Sequence, residues 1–176
     1  MVCLQEPYVG KENNACHPGF QIRWPECTKS ATRVALAIRN DVLDQCVFEE
    51  KTDLVSSPYV QCLDVWETER RRKVRRTRLV NIYNRAHMDG GGYAMDSMNW
   101  RRVIEGRTIL AGDFDARSPA WDPWVERRCN AGPTEQLIEE HGLIINNNDQ
   151  QTRHGKKCRS SINLTLSTPR TGRLAM

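Results

Sequence analysis

The sequence has no long apolar run, since no segment approaches the roughly 20 apolar residues that a membrane-spanning helix needs. Its first residues, 1–6, contain neither the basic region nor the apolar stretch of a signal peptide. The seven cysteines are odd in number and include no CxxC pair, which argues against a zinc site and favours a reducing compartment. These absences predict an intracellular protein, nuclear or cytoplasmic, that is not secreted and has no membrane partner.

Positive charges only slightly outnumber negative ones, and the net charge is +4. The excess is concentrated in one segment. The run Arg70–Arg78 carries seven positive charges in nine residues. It lies between two strand-like runs, so we expect it to form the tip of a hairpin. Such a tip is either a solvated end or a surface that contacts nucleic-acid phosphates without reading bases. The candidates for phosphate contacts are Arg70, Arg71, Arg72, Lys73, Arg75, Arg76 and Arg117, followed by Lys156, Lys157 and Arg159.

Short apolar runs dominate the first half of the chain, and strands alternate with helices in the second half. This pattern predicts one α/β or α+β domain that spans residues 1–176 and forms a sandwich. The segment from Tyr8 to about Thr32 is rich in Gly, Pro, Asn and Lys and predicts a long loop. Helical patterns cover Tyr93–Ile104 and Pro133–Gly142. The predicted strands are Val2–Leu4, Arg33–Arg39, Cys46–Phe48, Val60–Trp66, Leu79–Tyr83, Thr108–Ala111, Leu143–Ile145 and Ser161–Leu166.

The most informative segment is Thr108–Asp115. A buried strand ends at Gly112 and is followed by two carboxylates, Asp113 and Asp115. In α/β proteins ligands bind at such strand ends, and carboxylates there suit a hard divalent cation or the activation of a water. Aspartates are also common turn and N-cap residues after any strand. The segment alone leaves both interpretations open.

Four segments occur in the order in which the endonuclease/exonuclease/phosphatase superfamily carries its motifs: Leu4–Pro7, Val80–Asn84, Ala111–Asp115 and Ser160–Leu166. Two further segments, Asp115–Asp122 and Thr152–Lys156, are typical of the endonuclease domain of non-LTR retrotransposons, those of fungi in particular. The sequence resembles that branch over nearly its whole length. The resemblance implies a four-layer α/β sandwich and cleavage of DNA phosphodiester bonds that depends on Mg²⁺ or Mn²⁺.

The resemblance also implies roles for single residues. Glu6 matches the metal-binding glutamate, and Asp113 matches a carboxylate that binds the metal and orients or activates the attacking water. Tyr83 matches a tyrosine near the scissile phosphate. Asp115 stands where the family usually has an Asn that contacts the phosphate. Asn163 stands where the family has an Asp that orients the catalytic His.

Other family features have no counterpart in the sequence. These are a strand carrying an Asn ahead of Glu6 and a Ser-Asp-His segment beyond Asn163, in which none of the four histidines lies. We therefore expect an incomplete version of the fold, without the first strand and the C-terminal helix–strand unit. Three alternatives remain: a metal-dependent DNA endonuclease, a catalytically inactive nucleic-acid-binding remnant, and a decayed product without a function. The expected partners of this monomer are the DNA backbone and a reverse transcriptase region of the same element.

Overall fold

A six-stranded sheet forms the centre of the fold in the computed structural model. The model describes residues 1–7, 18–26, 32–70, 72–85, 93–147, 153–154, 159–160 and 162–172, the two dipeptides by backbone alone. The strands of the large sheet follow in the spatial order β4 (Cys46–Glu50), β5 (Val60–Glu69), β6 (Arg72–Tyr83), β7 (Thr108–Asp113), β11 (Asn163–Ser167) and β8 (Ile144–Ile145). Only β6 and β7 run parallel, and the other neighbours are antiparallel. A separate two-stranded ribbon pairs β9 (Arg153–His154) with β10 (Arg159–Ser160).

A small antiparallel sheet packs on one face of the large one. Its order is β1 (Val2–Gln5), β3 (Val34–Arg39) and β2 (Phe20–Arg23). The prediction of an uninterrupted loop from Tyr8 to about Thr32 was therefore wrong at β2. The pairing of Ile22 with Ala37 supplies the strand's hydrogen-bond partner, and this partner is distant in sequence. A local pattern of Gly, Pro and Asn does not reveal it.

Helices cover the opposite face of the large sheet. The predicted helix 93–104 is split into a 3-10 turn, Ala94–Ser97, and α2, Trp100–Val103, because Asn99 caps α2 by accepting a hydrogen bond from the Arg102 N–H. The helix at the second predicted segment is confirmed as α3, Gly132–His141, and ends where Gly142 turns left-handed. A short helix, α1 (Asn40–Leu43), follows β3 and packs on the face that the small sheet covers.

Two apolar clusters, one on each face of the large sheet, form the core. Val60 and Cys62 belong to the cluster beneath the helices, whereas Leu63 and Val65 belong to the cluster between the two sheets. This division follows the alternation of side chains along an extended strand. The predicted α/β sandwich is therefore the observed architecture.

β6 and β7 approach each other closely because residue 112 is glycine. Gly112 has a φ of 144°, and a Cβ atom there would lie 1.9 Å from the carbonyl oxygen of Ile82. No other residue type fits at this point without moving a strand. The glycine thus sets the position of the residue that follows it, Asp113.

Candidate active site

The carboxyl ends of β6 and β7 form the edge at which the predicted site residues meet. The two strands are parallel, and Tyr83 pairs with Asp113 at their ends. β11 begins on the other side of β7, where Asn163 pairs with Asp113. Paired residues on neighbouring strands point to the same face of a sheet. Three side chains from three strands therefore lie side by side.

Glu6 reaches this edge from the small sheet. It follows β1 directly, and its backbone N–H donates a 2.9 Å hydrogen bond to the carbonyl of Arg33. Its carboxylate accepts hydrogen bonds from the Tyr83 hydroxyl and, at 3.1 Å, from Nη1 of Arg85. The structure thus joins Glu6 to the edge that holds Tyr83 and Asp113.

The environment of Tyr83 keeps its hydroxyl neutral. Burial raises the pKa of Tyr83 to about 12, and the hydrogen bond to the Glu6 carboxylate acts in the same direction. Arg85 acts in the opposite direction. At neutral pH Tyr83 is therefore a hydrogen-bond donor and carries no negative charge.

Two residues of the site have a left-handed backbone. Glu6 and Asp115 both have a φ of 46°. For residues other than glycine this conformation costs roughly 1–2 kcal/mol, and such strain is concentrated at functional sites. The strain in Glu6 and Asp115 is consistent with a site whose geometry is maintained by the surrounding fold.

Asp113 forms the turn that is one of the two interpretations of its segment. Its Oδ1 accepts a 2.8 Å hydrogen bond from the backbone N–H of Asp115, which is the geometry of an Asx turn. This bond also fixes the orientation of the carboxylate at the end of β7. The turn thus places the Asp113 carboxylate at the candidate site, and Asp115 is half-buried beside it.

Hydrogen bonds from Asn84 hold the end of β7 in place, a role that the sequence did not indicate. Its backbone N–H donates to the carbonyl of Asp113 at 2.7 Å. Its Nδ2 donates to the carbonyl of Phe114 at 3.0 Å, and its Oδ1 accepts from the N–H of Met95 at 3.1 Å. Both ends of the buried amide are thus engaged in holding the backbone around Asp113.

Asn81 ties the small sheet to the large one. Its Oδ1 accepts from Nε2 of Gln5 at 2.8 Å, and its Nδ2 donates to the carbonyl of Ala35 at 2.9 Å. It is fully buried, and Gln5 directly precedes Glu6. A polar residue within the apolar run Leu79–Tyr83 was the available signal for this role.

A cleft of about 510 Å³ opens beside the site. It lies between β1 and the face of β7 and β11, and its wall includes Gln5, Gly112, Asn147 and Asn163. Asn163 is exposed, and its carbonyl accepts a 2.7 Å hydrogen bond from Nδ2 of Asn147. An extended ligand therefore has room to reach the edge at which Asp113 lies.

Carboxylates are few at this edge. Within the described residues, no group of three or more His, Cys, Asp or Glu side chains lies close enough to hold a metal ion. Glu6 and Asp113 supply hard oxygen ligands of the kind that Mg²⁺ takes, and Mg²⁺ commonly keeps several waters beside one or two carboxylates. The donor set therefore fits a magnesium ion that is held mainly by water and substrate oxygens.

Most of the basic run lies in β6, and only its beginning lies at the hairpin tip. Residues 72–78 continue the strand, and the turn lies at Arg70, whose φ is 47°. Arg71 lies outside the described residues. The hairpin is present, but the prediction that its tip extends to Arg78 was wrong, because β5 pairs with residues 72–78, with Glu67 opposite Arg75 and Asp64 opposite Arg78. Opposite charges at facing positions stabilise such pairing.

Most cations of β6 have an acidic partner. Lys73 pairs with Glu49, Arg75 with Glu67 at 2.5 Å, Arg76 with Glu105 at 3.3 Å, and the buried Arg78 with Asp64 at 2.8 Å. Arg70 and Arg72 are exposed. Arg72 lies about 36 Å from Tyr83 along the strand, at a rise of about 3.3 Å per residue. The basic segment and the candidate active site therefore occupy opposite ends of the sheet.

The remaining candidates lie elsewhere or outside the described part. Arg117 is half-buried in the loop after β7, where its backbone pairs with that of Cys129. His141 lies in the last turn of α3. Lys156, Lys157, His17 and His87 lie outside the described residues, and Arg159 and His154 are described by backbone alone.

The fold has a counterpart among solved structures. The endonuclease domain of TRAS1, a telomere-specific non-LTR retrotransposon, matches with a TM-score of 0.66 at 18% sequence identity, over 93% of this chain and 70% of that chain. This likeness confirms the predicted resemblance at the level of the fold. No family model and no curated protein matches the sequence. Within the described residues, no helix has the length and apolar character needed to cross a membrane.

Proposed function

We propose that this chain hydrolyses DNA phosphodiester bonds in a reaction that depends on a divalent metal. The observation that carries the proposal is the convergence at one edge of Glu6, which follows β1, with Tyr83, Asp113 and Asn163 of three strands. The fold is shared with a retrotransposon endonuclease domain, which supports a nucleic-acid substrate. Strand ends of this kind are where α/β folds bind their ligands.

Glu6 and Asp113 are the residues that would hold Mg²⁺ or Mn²⁺. When bound, such an ion polarises the phosphate and stabilises the negative charge that develops on it. Arg85 already neutralises part of the Glu6 charge through its 3.1 Å hydrogen bond. A shift of Arg85 towards the substrate would free the carboxylate and place a guanidinium near the phosphate.

Asp113 is suited to orient and deprotonate the attacking water. One of its oxygens is fixed by the Asp115 N–H, and a carboxylate retains further lone pairs that can accept a proton from water. The neutral Tyr83 hydroxyl donates its hydrogen bond to Glu6. When substrate binds, the hydroxyl can donate to a phosphate oxygen instead. Asp115, which has a carboxyl group, and Asn163, which has an amide, flank Asp113.

The basic residues would bind the DNA backbone away from the scissile bond. Because β6 places Arg72, Lys73, Arg75 and Arg76 far from Tyr83, we assign them to phosphates that are remote from the reaction. We assign Arg70 and Arg71, which precede them in the sequence, to the same phosphates. Arg117, in the loop that follows β7, would contact phosphates nearer to Asp113. Such contacts are independent of sequence and weaken steeply with salt.

The test is nicking of supercoiled plasmid with Mg²⁺, Mn²⁺ or chelator. Asp113→Asn keeps an oxygen that accepts from the Asp115 N–H but cannot serve as a base, so we expect metal-dependent nicking to fall by about 100-fold or more. Asp44→Ala, at an exposed carboxylate after α1, is the matched control and should nick as the parent does. Equal nicking by the parent and Asp113→Asn contradicts the proposal.

A second candidate is nucleic-acid binding without cleavage. It is favoured by the ion pair between Arg85 and Glu6 and by the small number of carboxylates among the described site residues. A folded sample that binds DNA with a steep salt dependence and shows no metal-dependent nicking would establish this alternative.

A further inference from the structure

A second cleft, of about 460 Å³, lies on the helix-covered face of the large sheet. Its walls are the segment after β4, strands β5 and β6, and helix α2. Five basic and three acidic residues line it together with Leu54. The cleft therefore has a net positive charge.

The floor of the cleft is a rigid, neutral ion pair. Arg78 donates from Nε and Nη2 to the two carboxylate oxygens of Asp64, at 2.8 and 3.1 Å. Its Nη1 donates to the carbonyls of Arg102 and Val103. The side chains of Arg78 and Asp64 are only 3% and 5% exposed. Four further cations line the cleft: Lys51, Arg76, Arg101 and Arg102. Of these, Arg76 also contacts the floor, with its Nη1 3.6 Å from Oδ2 of Asp64.

Apart from Asp64, the acids that face these cations are exposed. Asp53 and Glu105 have side chains that are 58% and 65% exposed. Asp53 lies 3.3 Å from Lys51 and 3.8 Å from Arg102, and Glu105 lies 3.3 Å from Arg76. Exposed pairs of this geometry contribute little to stability. Both carboxylates can therefore turn towards solvent when a stronger anion enters.

We infer that this cleft is a phosphate-binding site separate from the candidate active site, with Lys51, Arg76, Arg101 and Arg102 as its ligands. Guanidinium groups match the geometry of phosphate oxygens and bind them through paired hydrogen bonds. The phosphate belongs either to a nucleic-acid backbone or to a free phosphate compound. Both sources present the same phosphate oxygens and differ only in the group to which the phosphate is bonded.

The position of the cleft makes it independent of the proposed reaction. Arg78 precedes Tyr83 by an odd number of residues on β6, so their side chains lie on opposite faces of the sheet. The two residues are about 17 Å apart along the strand. One phosphate cannot contact both sites, and the cleft would bind either a distant part of the same nucleic acid or a separate molecule.

The experiment measures binding in the presence of chelator, so that it does not depend on metal or cleavage. One arm uses anisotropy of a labelled DNA duplex, and the other uses calorimetry with inorganic pyrophosphate. The test variant, Lys51→Gln with Arg102→Gln, removes one cation from each of two walls and none from the hairpin. We expect about a tenfold weaker binding in at least one arm, since each lost phosphate contact weakens binding.

Two further variants make the result specific. Glu105→Gln removes a competing carboxylate, and we expect it to tighten the same binding several-fold. The matched control, Arg39→Gln with Arg170→Gln, removes two exposed charges outside the cleft and should change binding by less than about twofold. Circular dichroism verifies that each variant is folded.

The two binding measurements distinguish the two sources of phosphate. Weakening of DNA binding identifies a backbone phosphate as the ligand, and weakening confined to pyrophosphate identifies a free phosphate compound. If the test variant binds both probes as the parent does, or if the control weakens binding equally, the cleft is not a phosphate site. Plasmid nicking by Asp113→Asn does not bear on this result, so the two proposals fail independently.

Discussion

Single residues at the candidate site obtain their chemistry from neighbours that are distant in sequence. Tyr83 is kept neutral by burial and by Glu6, and Glu6 is placed by the backbone of Arg33. Asp113 is held between the Asp115 N–H on one side and the Asn84 N–H on the other. The site is therefore sensitive to small displacements of the two strand ends.

Gly112 gives a prediction at this scale. In Gly112→Ala the new Cβ would overlap the Ile82 carbonyl, and the φ of 144° suits only glycine. We expect the free energy of unfolding to fall by about 3 kcal/mol or more. The measurement is urea denaturation followed by tryptophan fluorescence.

Gly132 provides the control for this variant. It begins α3, and a Cβ there meets no atom within 4 Å. Gly132→Ala should be neutral or stabilise the protein by up to about 1 kcal/mol, because alanine favours a helix. Equal effects of the two substitutions would show that β6 and β7 do not approach as closely as described.

At the scale of elements, the β5–β6 hairpin carries a different feature at each of its two ends. Near Tyr83 it carries the candidate site, and near Arg72 it carries exposed positive charge. Between them the buried pair of Arg78 and Asp64 links β5, β6 and α2, since Arg78 also donates to carbonyls of α2. We therefore regard this pair as the main polar connection between the hairpin and the helix layer.

A prediction for this element is that Arg78→Met strongly destabilises the fold. It leaves the buried Asp64 carboxylate without its closest partner, which typically costs about 3–5 kcal/mol. The double variant Arg78→Met with Asp64→Leu removes both charges and should recover most of that loss. Chemical denaturation of the parent, of Arg78→Met, of Asp64→Leu and of the double variant gives the coupling energy.

The control for the pair is the exposed Arg75. It is hydrogen-bonded to Glu67, but both side chains are largely solvated, so Arg75→Gln should cost less than about 1 kcal/mol. If Arg75→Gln lowers the free energy of unfolding as much as Arg78→Met does, burial of the Arg78–Asp64 pair does not contribute to its importance.

At the scale of the whole molecule, the two sheets form one unit. An apolar cluster joins them, and Asn81 adds hydrogen bonds from β6 to Gln5 and Ala35 of the small sheet. The candidate site uses side chains from both sheets, so it exists only while they are docked. The cationic cleft lies entirely on the large sheet and its helices, on the other face.

Asn81→Leu tests this connection. It leaves the Gln5 amide without its partner and removes the donor to Ala35, so we expect a loss of about 2–3 kcal/mol in the free energy of unfolding. Because Gln5 precedes Glu6, nicking should fall further than the unfolded fraction explains. The urea transition should remain single, with an unchanged slope, if the sheets unfold together.

The exposed Asn99, which caps α2, is a suitable comparison for Asn81. Asn99→Ala should cost about 1 kcal/mol and leave nicking unchanged. A second transition in Asn81→Leu, or nicking that matches its folded fraction, would contradict a single docked unit.

The sequence by itself determined the local features. The apolar run Val60–Trp66 indicated a strand, and the Pro and Gly around α3 indicated its limits. The resemblance carried by the ordered motifs implied the fold and pointed to Glu6, Tyr83 and Asp113 as candidates. These features depend on residue type and short-range spacing, which a chain displays without being folded.

Only the tertiary structure decided the contacts between distant segments. β2 exists because β3 pairs with it, and the basic run is strand because β5 lies opposite. The roles of Asn81 and Asn84 in bracing the site depend on carbonyls and N–H groups far along the chain. The separation of Arg78 from Tyr83 onto opposite faces follows from strand pleat, and the cleft around Arg78 exists only once α2 has packed against the sheet. Hydrogen bonds and clefts of this kind are formed by the packed chain, because their partners meet only after the sheets and helices have docked.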